Sequence, residues 1–172
     1  MPLREEVGRA AAETEQEYAG DADRSLGAFS ALMGAYGGAL GAIAGLARPT
    51  GRTVPEPTPW DVVLCTGATH RLSRLITKDP VTSPLRAPFS RFEGTSGPSE
   101  LDEEVRGRGV RKAVGELVTC PFCTGLWIST GLSAGLVFTL RATRLAAGAP
   151  AALTLSDLLH FARAGAQHAA GE

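Results

Sequence analysis

Residues 25–47 read SLGAFSALMGAYGGALGAIAGLA and residues 117–140 read LVTCPFCTGLWISTGLSAGLVFTL, and neither stretch contains a charged side chain. At a rise of 1.5 Å per residue, helices of 23 and 24 residues cover the roughly 30 Å hydrocarbon core of a bilayer. A soluble helix of this length normally has a polar face, which both stretches lack. The two stretches therefore predict an all-α fold, a multi-pass transmembrane helical bundle.

Two shorter apolar segments complete a predicted bundle of three or four helices. Thr58, Pro59 and Asp61 are typical of a helix start, with Thr58 as the N-cap and Pro59 in the first helical position. Residues 60–76 are therefore predicted to form a short span. Residues 145–162 are also largely apolar and predict an imperfect span. Four residues interrupt it: Gly148, Pro150, Asp157 and His160.

The first part of the chain is predicted to be a tail followed by a single span. Residues 1–24 hold seven acidic and three basic side chains, so they predict an acidic N-terminal tail, either a solvated helix or disordered. An export signal begins with a short basic region, which this tail does not resemble. Residues 25–47 follow as a Gly/Ala-rich transmembrane helix.

The second part is predicted to be a membrane domain, residues 60–162, followed by a C-terminal tail, residues 163–172. Inside the domain, residues 78–116 are polar and form a long cytoplasmic loop. An acidic patch at residues 100–104 lies between two basic stretches of this loop. Such a patch folds back on its basic neighbours, holds a partner, or stays solvated.

The distribution of Lys and Arg predicts the orientation of the bundle. With four spans, 13 of the 17 basic residues lie on one side and 4 lie on the other. Because basic residues near span ends stay in the cytoplasm, both termini are predicted to be cytoplasmic, in a protein of the cell (inner) membrane. With three spans, if residues 60–76 do not cross, the termini lie on opposite sides.

Composition and motifs exclude several classes of function. A net charge of −1 gives no basic surface for a nucleic acid. The sequence contains no nucleophile elbow, no phosphate-binding glycine loop and no His-Glu-x-x-His motif, so we expect no enzyme. Three cysteines are too few for a secreted disulfide framework, and we expect thiols.

Three motifs in the same order resemble a known family. They are ATHRLSRLITKD at residues 68–79, VTSPLRAPF at residues 81–89 and GELVTCPFCTGLW at residues 115–127. Together they resemble an uncharacterised bacterial membrane family, domain of unknown function 1360, over residues 60–162. The resemblance implies a small multi-pass inner-membrane protein without an assigned activity. Residues 25–47 lie outside it.

The sequence Cys120-Pro121-Phe122-Cys123 is the sharpest chemical feature. Two thiols in the first turn of a helix lie on one side of it, where the helix dipole favours a thiolate. Three interpretations remain open: structural thiols, thiol–disulfide exchange, or a zinc site. Zinc requires two further ligands, for which Cys65, His70 and His160 are the candidates. No other cofactor is predicted.

Two further groups of ionisable residues have both a structural and a functional interpretation. Arg71, Arg74 and Lys78 follow an apolar run, so they either anchor a span end or bind an anion or a lipid headgroup. Asp157 and His160 share one helix face at a spacing of three. They lie near an interface or form a polar pathway for a proton or small solute.

Glycines four residues apart predict where helices pack. Small residues at this spacing share one helix face and let another backbone approach closely in lipid. We expect other membrane helices, or a second copy of the chain, to pack on two such sets: Gly37, Gly41 and Gly45, and Gly131 and Gly135. With the bilayer as the other partner, the sequence favours a structural or interaction component of the membrane. The alternatives are a thiol or metal-binding protein and a transporter.

Overall fold

The computed structural model describes residues 2–20, 24–49, 51, 56–97 and 100–171. The helices are α1 (Pro2–Ala19), α2 (Leu26–Ala47), α3 (Pro59–Thr77), α4 (Ser83–Arg86), α5 (Val110–Thr119), α6 (Pro121–Phe138) and α7 (Leu140–Ala169). A 3-10 turn, Pro80–Thr82, precedes α4. Strands β1 (Ser90–Gly97) and β2 (Glu100–Val105) pair antiparallel.

Local side-chain contacts define where α3 and α6 begin. The Thr58 hydroxyl accepts the N–H of Asp61 at 3.2 Å, and the Asp61 carboxylate accepts the N–H of Thr58 at 3.1 Å. This reciprocal capping box confirms the predicted start of α3. At the start of α6, the Cys120 sulfur accepts the N–H of Cys123 at 3.3 Å, and Pro121 occupies the first helical position. The apolar stretch 117–140 is therefore not one helix, because residues 117–119 end α5 and α6 covers Pro121–Phe138.

Helices α3, α6 and α7 pack around a small apolar core. The core consists of Leu64, Ala68, Ala147 and Ala151, with Leu132 of α6 packed against it. Helices α3 and α7 run parallel, because Asp61 pairs with Arg144 near their starts and Arg71 pairs with Asp157 further along both. Helix α6 runs in the opposite direction.

Close contacts between small residues position these three helices. A Cβ atom on Gly67 of α3 would lie 3.1 Å from the Cβ of Ala151 in α7, so the two backbones approach closely. A Cβ atom on Gly135 of α6 would lie 2.5 Å from the hydroxyl oxygen of Thr143. Gly135, predicted to be a packing residue, is thus used inside the chain. A Cβ atom on Gly131 would meet no atom within 4 Å.

Helix α2 lies on the outside of this core, mainly against α5 and α6. Arg24 pairs with Glu116 of α5 at 3.2 Å, and the Tyr36 hydroxyl lies 2.9 Å from the Thr130 hydroxyl of α6. Because both α2 and the α5–α6 segment advance in the same direction along these contacts, α2 is parallel to α6. Four of the five acidic residues of α1 are exposed, and Glu15 is half-buried.

The prediction of an all-α fold was wrong in one region, because the predicted loop at residues 78–116 contains the β-hairpin. Its strands read SRFEGTSG and ELDEEV, which lack the alternating apolar pattern of a half-buried strand. The hairpin instead depends on charge. The acidic strand β2 folds back on basic residues, since Glu103 pairs with Arg86 and Glu100 with Arg74.

Helix α7 is longer than the predicted imperfect span at residues 145–162. It is continuous from Leu140 to Ala169 through Pro150, and it includes residues 163–169 of the predicted C-terminal tail. The chain therefore tolerates a proline that removes one helical N–H. Pro150 is buried, and its carbonyl accepts the hydroxyl of Thr154 at 3.2 Å.

Candidate functional site

The charged residues that the sequence places in separate groups meet in one cleft. This charged cleft, about 530 Å³, lies between α3, α7 and the start of β2. Six ionisable side chains line it: His70, Arg71, Arg74, Glu100, Asp157 and His160. The predicted basic stripe and the predicted Asp157–His160 face are therefore two walls of the same cavity.

Each arginine of the charged cleft has a carboxylate partner from another element. Arg71 Nη1 lies 3.1 Å from Asp157 Oδ2, and Arg74 pairs with Glu100 of β2. The two arginines of the cleft are thus matched by two carboxylates. Lys78, the third member of the predicted stripe, is the C-cap of α3 and does not line the cleft.

A second cavity, the α3–α6 groove, lies on the other side of the charged end of α3. Its volume is about 600 Å³. Three of its serines donate to carbonyls of their own helices, at 2.8–3.0 Å: Ser73 to His70, Ser129 to Leu126, and Ser133 to Ser129. Because these hydroxyl protons already form hydrogen bonds, the three serines need no hydrogen-bond acceptor from a molecule that occupies the groove.

Thr69 is the exception in the α3–α6 groove. Its hydroxyl oxygen is buried and has no hydrogen-bond partner among the residues that the structure describes. A buried hydroxyl without a partner is unfavourable by about 1–3 kcal/mol. Thr69 lines the groove, so a rotation of its side chain about χ1 would turn the hydroxyl toward an occupant that supplies the missing hydrogen bond.

Two residues near the charged end of α3 line both cavities. His70 and Arg74 line both the charged cleft and the α3–α6 groove. At its other end the groove shares Ser133 with a cavity of about 240 Å³ that Asp61 and Arg144 also line. Helix α3 thus has polar groups at both ends. Between them lies a groove in which the serine hydroxyls are hydrogen-bonded to their own helices.

Asp61 and Arg144 form the ion pair at the far end of α3. The Arg144 guanidinium donates to the two Asp61 oxygens at 2.6 and 2.8 Å. The residue Asp61 is 2% exposed. The sequence indicated Asp61 as an ionisable group beside an apolar run but did not identify its partner, because 83 residues separate the two.

A fully buried arginine organises the hairpin beside the charged cleft. Arg86 is 0% exposed. Its five N–H groups donate to Glu103 at 2.8 and 3.0 Å, to the carbonyls of Ile76 at 2.7 Å and Asp79 at 3.1 Å, and to the hydroxyl of Thr82 at 2.7 Å. Arg86 therefore joins the C-terminal end of α3 to β2.

The electrostatics of Glu103 follow from this arrangement. Burial by itself raises the pKa of Glu103, but hydrogen bonds from Arg86 and from Ser90 outweigh burial, so its pKa lies below the usual value. The Ser90 hydroxyl is 2.9 Å from Glu103 Oε2. Sequence reasoning missed this cluster. Its only local signal was an arginine enclosed by two prolines in the polar loop, Pro84 and Pro88.

Neither Cys120 nor Cys123 lines the charged cleft or the α3–α6 groove, although Pro121 and Phe122 between them line the groove. Cys123 is exposed and Cys120 is half-buried. Among the described residues no group of three His, Cys, Asp or Glu side chains is placed to hold a metal ion. Of the further zinc ligands that the sequence suggested, Cys65 lines the α3–α6 groove, His160 lines the charged cleft and His70 lines both.

Comparison with known proteins agrees with the resemblance found in the sequence. The family described as a protein of unknown function, DUF1360, matches residues 64–163, and the chain belongs to this family. The chain is also similar to sporulation protein YjcA of Bacillus subtilis (strain 168), with 38% identity over 69 residues. The matched region is 38% of this chain and 58% of that relative's length. No solved structure matches the chain.

Proposed function

We propose that this member of the family is a four-span protein of the cell membrane, with both termini in the cytoplasm, that acts as a structural or interaction component. The observation that carries the proposal is exposed apolar surface. Helices α2, α6 and α7 are long and apolar enough to cross a membrane. Yet only 6%, 6% and 11% of the most apolar 18-residue stretch of each helix is buried inside the chain. Lipid is the solvent that suits such surfaces.

The helix directions support four crossings rather than three. Helices α2 and α6 are parallel, so the chain between them has to return to the side from which α2 starts. Helix α3 is antiparallel to both, and its 19 residues extend about 28 Å. That length is close to the thickness of the hydrocarbon core. Helix α3 is therefore the returning span, and α7, parallel to it, is the fourth.

The arrangement of charge supports the orientation. The hairpin, the Arg86 cluster and the charged cleft all lie at the end where α3 finishes and α6 begins. The opposite end carries Arg48, Arg141 and the Asp61–Arg144 pair. Since basic residues are retained in the cytoplasm, the hairpin end is the cytoplasmic one.

The free face of α2 supports a role in interaction. Cβ atoms on Gly37, Gly41 and Gly45 would meet no atom of the described residues within 4 Å. At 100° per residue, Gly41 points roughly 140° away from Tyr36, which contacts α6. The glycine face is thus turned away from the bundle, and small residues at this spacing suit a helix from another chain or copy.

The membrane topology is tested with single cysteines in a background with Cys65→Ser, Cys120→Ser and Cys123→Ser. In intact cells, a membrane-impermeant maleimide is expected to label Gly51→Cys but not Phe92→Cys or Ala164→Cys. Permeabilised cells should label all three. A chain that stays in solution without detergent, or labelling of Phe92→Cys from outside, contradicts the proposal.

The interaction role is tested by a matched pair of substitutions on α2. Gly41→Leu fills the free glycine face, whereas Ala35→Leu places the same side chain on another exposed position of the helix. Chemical crosslinking in native membranes should lose its products with Gly41→Leu and keep them with Ala35→Leu. Equal crosslinking of both variants and the unaltered chain would remove α2 as the contact face.

A second candidate function is thiol chemistry at Cys120 and Cys123, supported by the exposure of Cys123 and the contact of its N–H with the Cys120 sulfur. A zinc site in this form takes its remaining ligands from a second chain. Metal analysis of the purified protein and of Cys120→Ser with Cys123→Ser tests it, together with the reactivity of the thiols before and after reductant. Transport through Asp157 and His160 has less support, because Asp157 is already paired with Arg71.

A further inference from the structure

The charged cleft and the α3–α6 groove meet at His70 and Arg74, which line both cavities. We propose that together they bind one zwitterionic glycerophospholipid from the cytoplasmic leaflet. Its headgroup lies among His70, Arg74 and Glu100, and one acyl chain follows the groove between α3 and α6. This inference rests on the membrane position proposed above.

The depth of the groove fits one leaflet. From Arg74 at the charged end to Cys65, the groove follows nine residues of α3. At 1.5 Å per residue this is about 14 Å, close to half of the roughly 30 Å hydrocarbon core. An acyl chain that enters from the cytoplasmic side therefore finds a groove about as deep as its own leaflet.

The groove wall suits an acyl chain with an ester group near its top. Ser129 and Ser133 donate to their own helix, so they leave no unsatisfied donors against a hydrocarbon chain. The buried Thr69 hydroxyl, which has no partner in the described part of the chain, lies about 8 Å along α3 from Arg74. Once the Thr69 side chain rotates into the groove, an ester carbonyl of a glycerolipid is an acceptor suited to this hydroxyl.

The balance of charge in the cleft favours a zwitterionic headgroup over an anionic one. Arg71 and Arg74 face Asp157 and Glu100, so an anion has to bind beside two carboxylates. A headgroup with a phosphate and an ammonium satisfies both signs, with the phosphate accepting from Arg74 and His70 and the ammonium donating to Glu100. The two histidines are exposed and add ring N–H donors.

Native mass spectrometry of the detergent-solubilised full chain tests the inference, with dioleoyl phosphatidylethanolamine and dioleoyl phosphatidylglycerol as probes. We expect one phosphatidylethanolamine per chain to be retained and phosphatidylglycerol to be retained much less. Thr69→Val, which keeps the shape and removes the hydroxyl, should weaken retention roughly fivefold. Glu100→Gln should reduce the preference for phosphatidylethanolamine. Equal retention of the two lipids by the unaltered chain overturns the inference.

Occupation of the groove is tested separately from the headgroup. Thr66 is exposed and lines the groove, so Thr66→Phe should fill it and abolish lipid retention, whereas Ala152→Phe, on an exposed part of α7, should leave retention unchanged. With Cys120→Ser and Cys123→Ser, the lipid should also slow alkylation of Cys65. Unchanged retention in both Thr66→Phe and Thr69→Val overturns the groove assignment. A chain that inserts as the maleimide labelling requires but retains no phosphatidylethanolamine overturns this inference alone.

Discussion

Helix α3 carries Asp61, His70, Arg71 and Arg74, whereas helix α2 carries no charged side chain. Yet α3 packs against α5, α6 and α7, while α2 lies mainly against α5 and α6. Polar groups on α3 are accommodated because partners from other elements meet them, as Arg144 meets Asp61. In the proposed membrane, the helix with the weaker apolar signal is the central one, and the purely apolar helix faces lipid.

The small residues of the two helices differ in the same way. Gly67 of α3 lies against Ala151, while Gly41 of α2 has open space around it. The same residue type therefore serves close packing within the chain in one helix and leaves a free face in the other. Four experiments sharpen or break this contrast.

The largest effect is expected where α3 is held by Arg86. Arg86→Met removes five hydrogen bonds and leaves the Glu103 carboxylate without its cation, and breaking a buried ion pair in this way destabilises by about 3–5 kcal/mol. The measurement is the free energy of unfolding in mild detergent. Arg91→Met is the control, because Arg91 is exposed. Equal losses in the two variants would show that α3 does not depend on Arg86.

A smaller effect is expected from Gly67→Val. Its Cβ atom would lie 3.1 and 3.2 Å from the Cβ and Cα of Ala151, and overpacking of this kind destabilises by about 1–3 kcal/mol. Gly41→Val in α2 should leave the unfolding free energy of the monomer nearly unchanged. If both variants lose the same stability, the contrast between the two glycine positions fails.

The contact of Arg86 with Glu103, which joins the C-terminal end of α3 to β2, should make the stability of the protein depend on pH. Because the folded state lowers the pKa of Glu103, the folded chain binds this proton less readily than the unfolded chain does. The stabilising contribution is therefore complete above the ordinary glutamate pKa of about 4.3 and is lost as the pH falls below it. Unfolding of the unaltered chain and of Glu103→Gln, followed from pH 7 to pH 3, measures it. An identical acid dependence in the two proteins would contradict the assignment.

The smallest effect is expected at the contact of α2 with α6. Tyr36→Phe removes the hydrogen bond to Thr130 and keeps the edge-to-face contact of the ring with Trp127. We expect the free energy of unfolding to fall by about 0.5–1.5 kcal/mol. Tyr36→Ala, which also removes the ring contact, should lower the free energy of unfolding further than Tyr36→Phe does. A Tyr36→Phe loss as large as that of Arg86→Met would mean that α2 is held as firmly as α3.

Sequence reasoning succeeded where the contacting residues are near neighbours in the chain and failed where they are far apart in it. The start of α3 was predicted because Thr58 and Asp61 contact each other three residues apart, and the same holds for Cys120 and Cys123 at the start of α6. The hairpin was missed because its strands are polar and depend on Arg86, which lies 17 residues from Glu103. The charged cleft was missed as a unit, since Arg71 and Asp157 are 86 residues apart.

The sequence by itself determined which segments are apolar helices and where α3 and α6 begin. Those properties depend on composition and on hydrogen bonds between near neighbours in the chain. Only the tertiary structure decided that Arg71 and Arg74 are paired. Within the part of the chain that the structure describes, it also decided that Gly135 is used internally and Gly41 is not, and that the Thr69 hydroxyl lacks a partner. These outcomes depend on which distant surfaces come within a few ångströms of each other, and no local pattern encodes that distance.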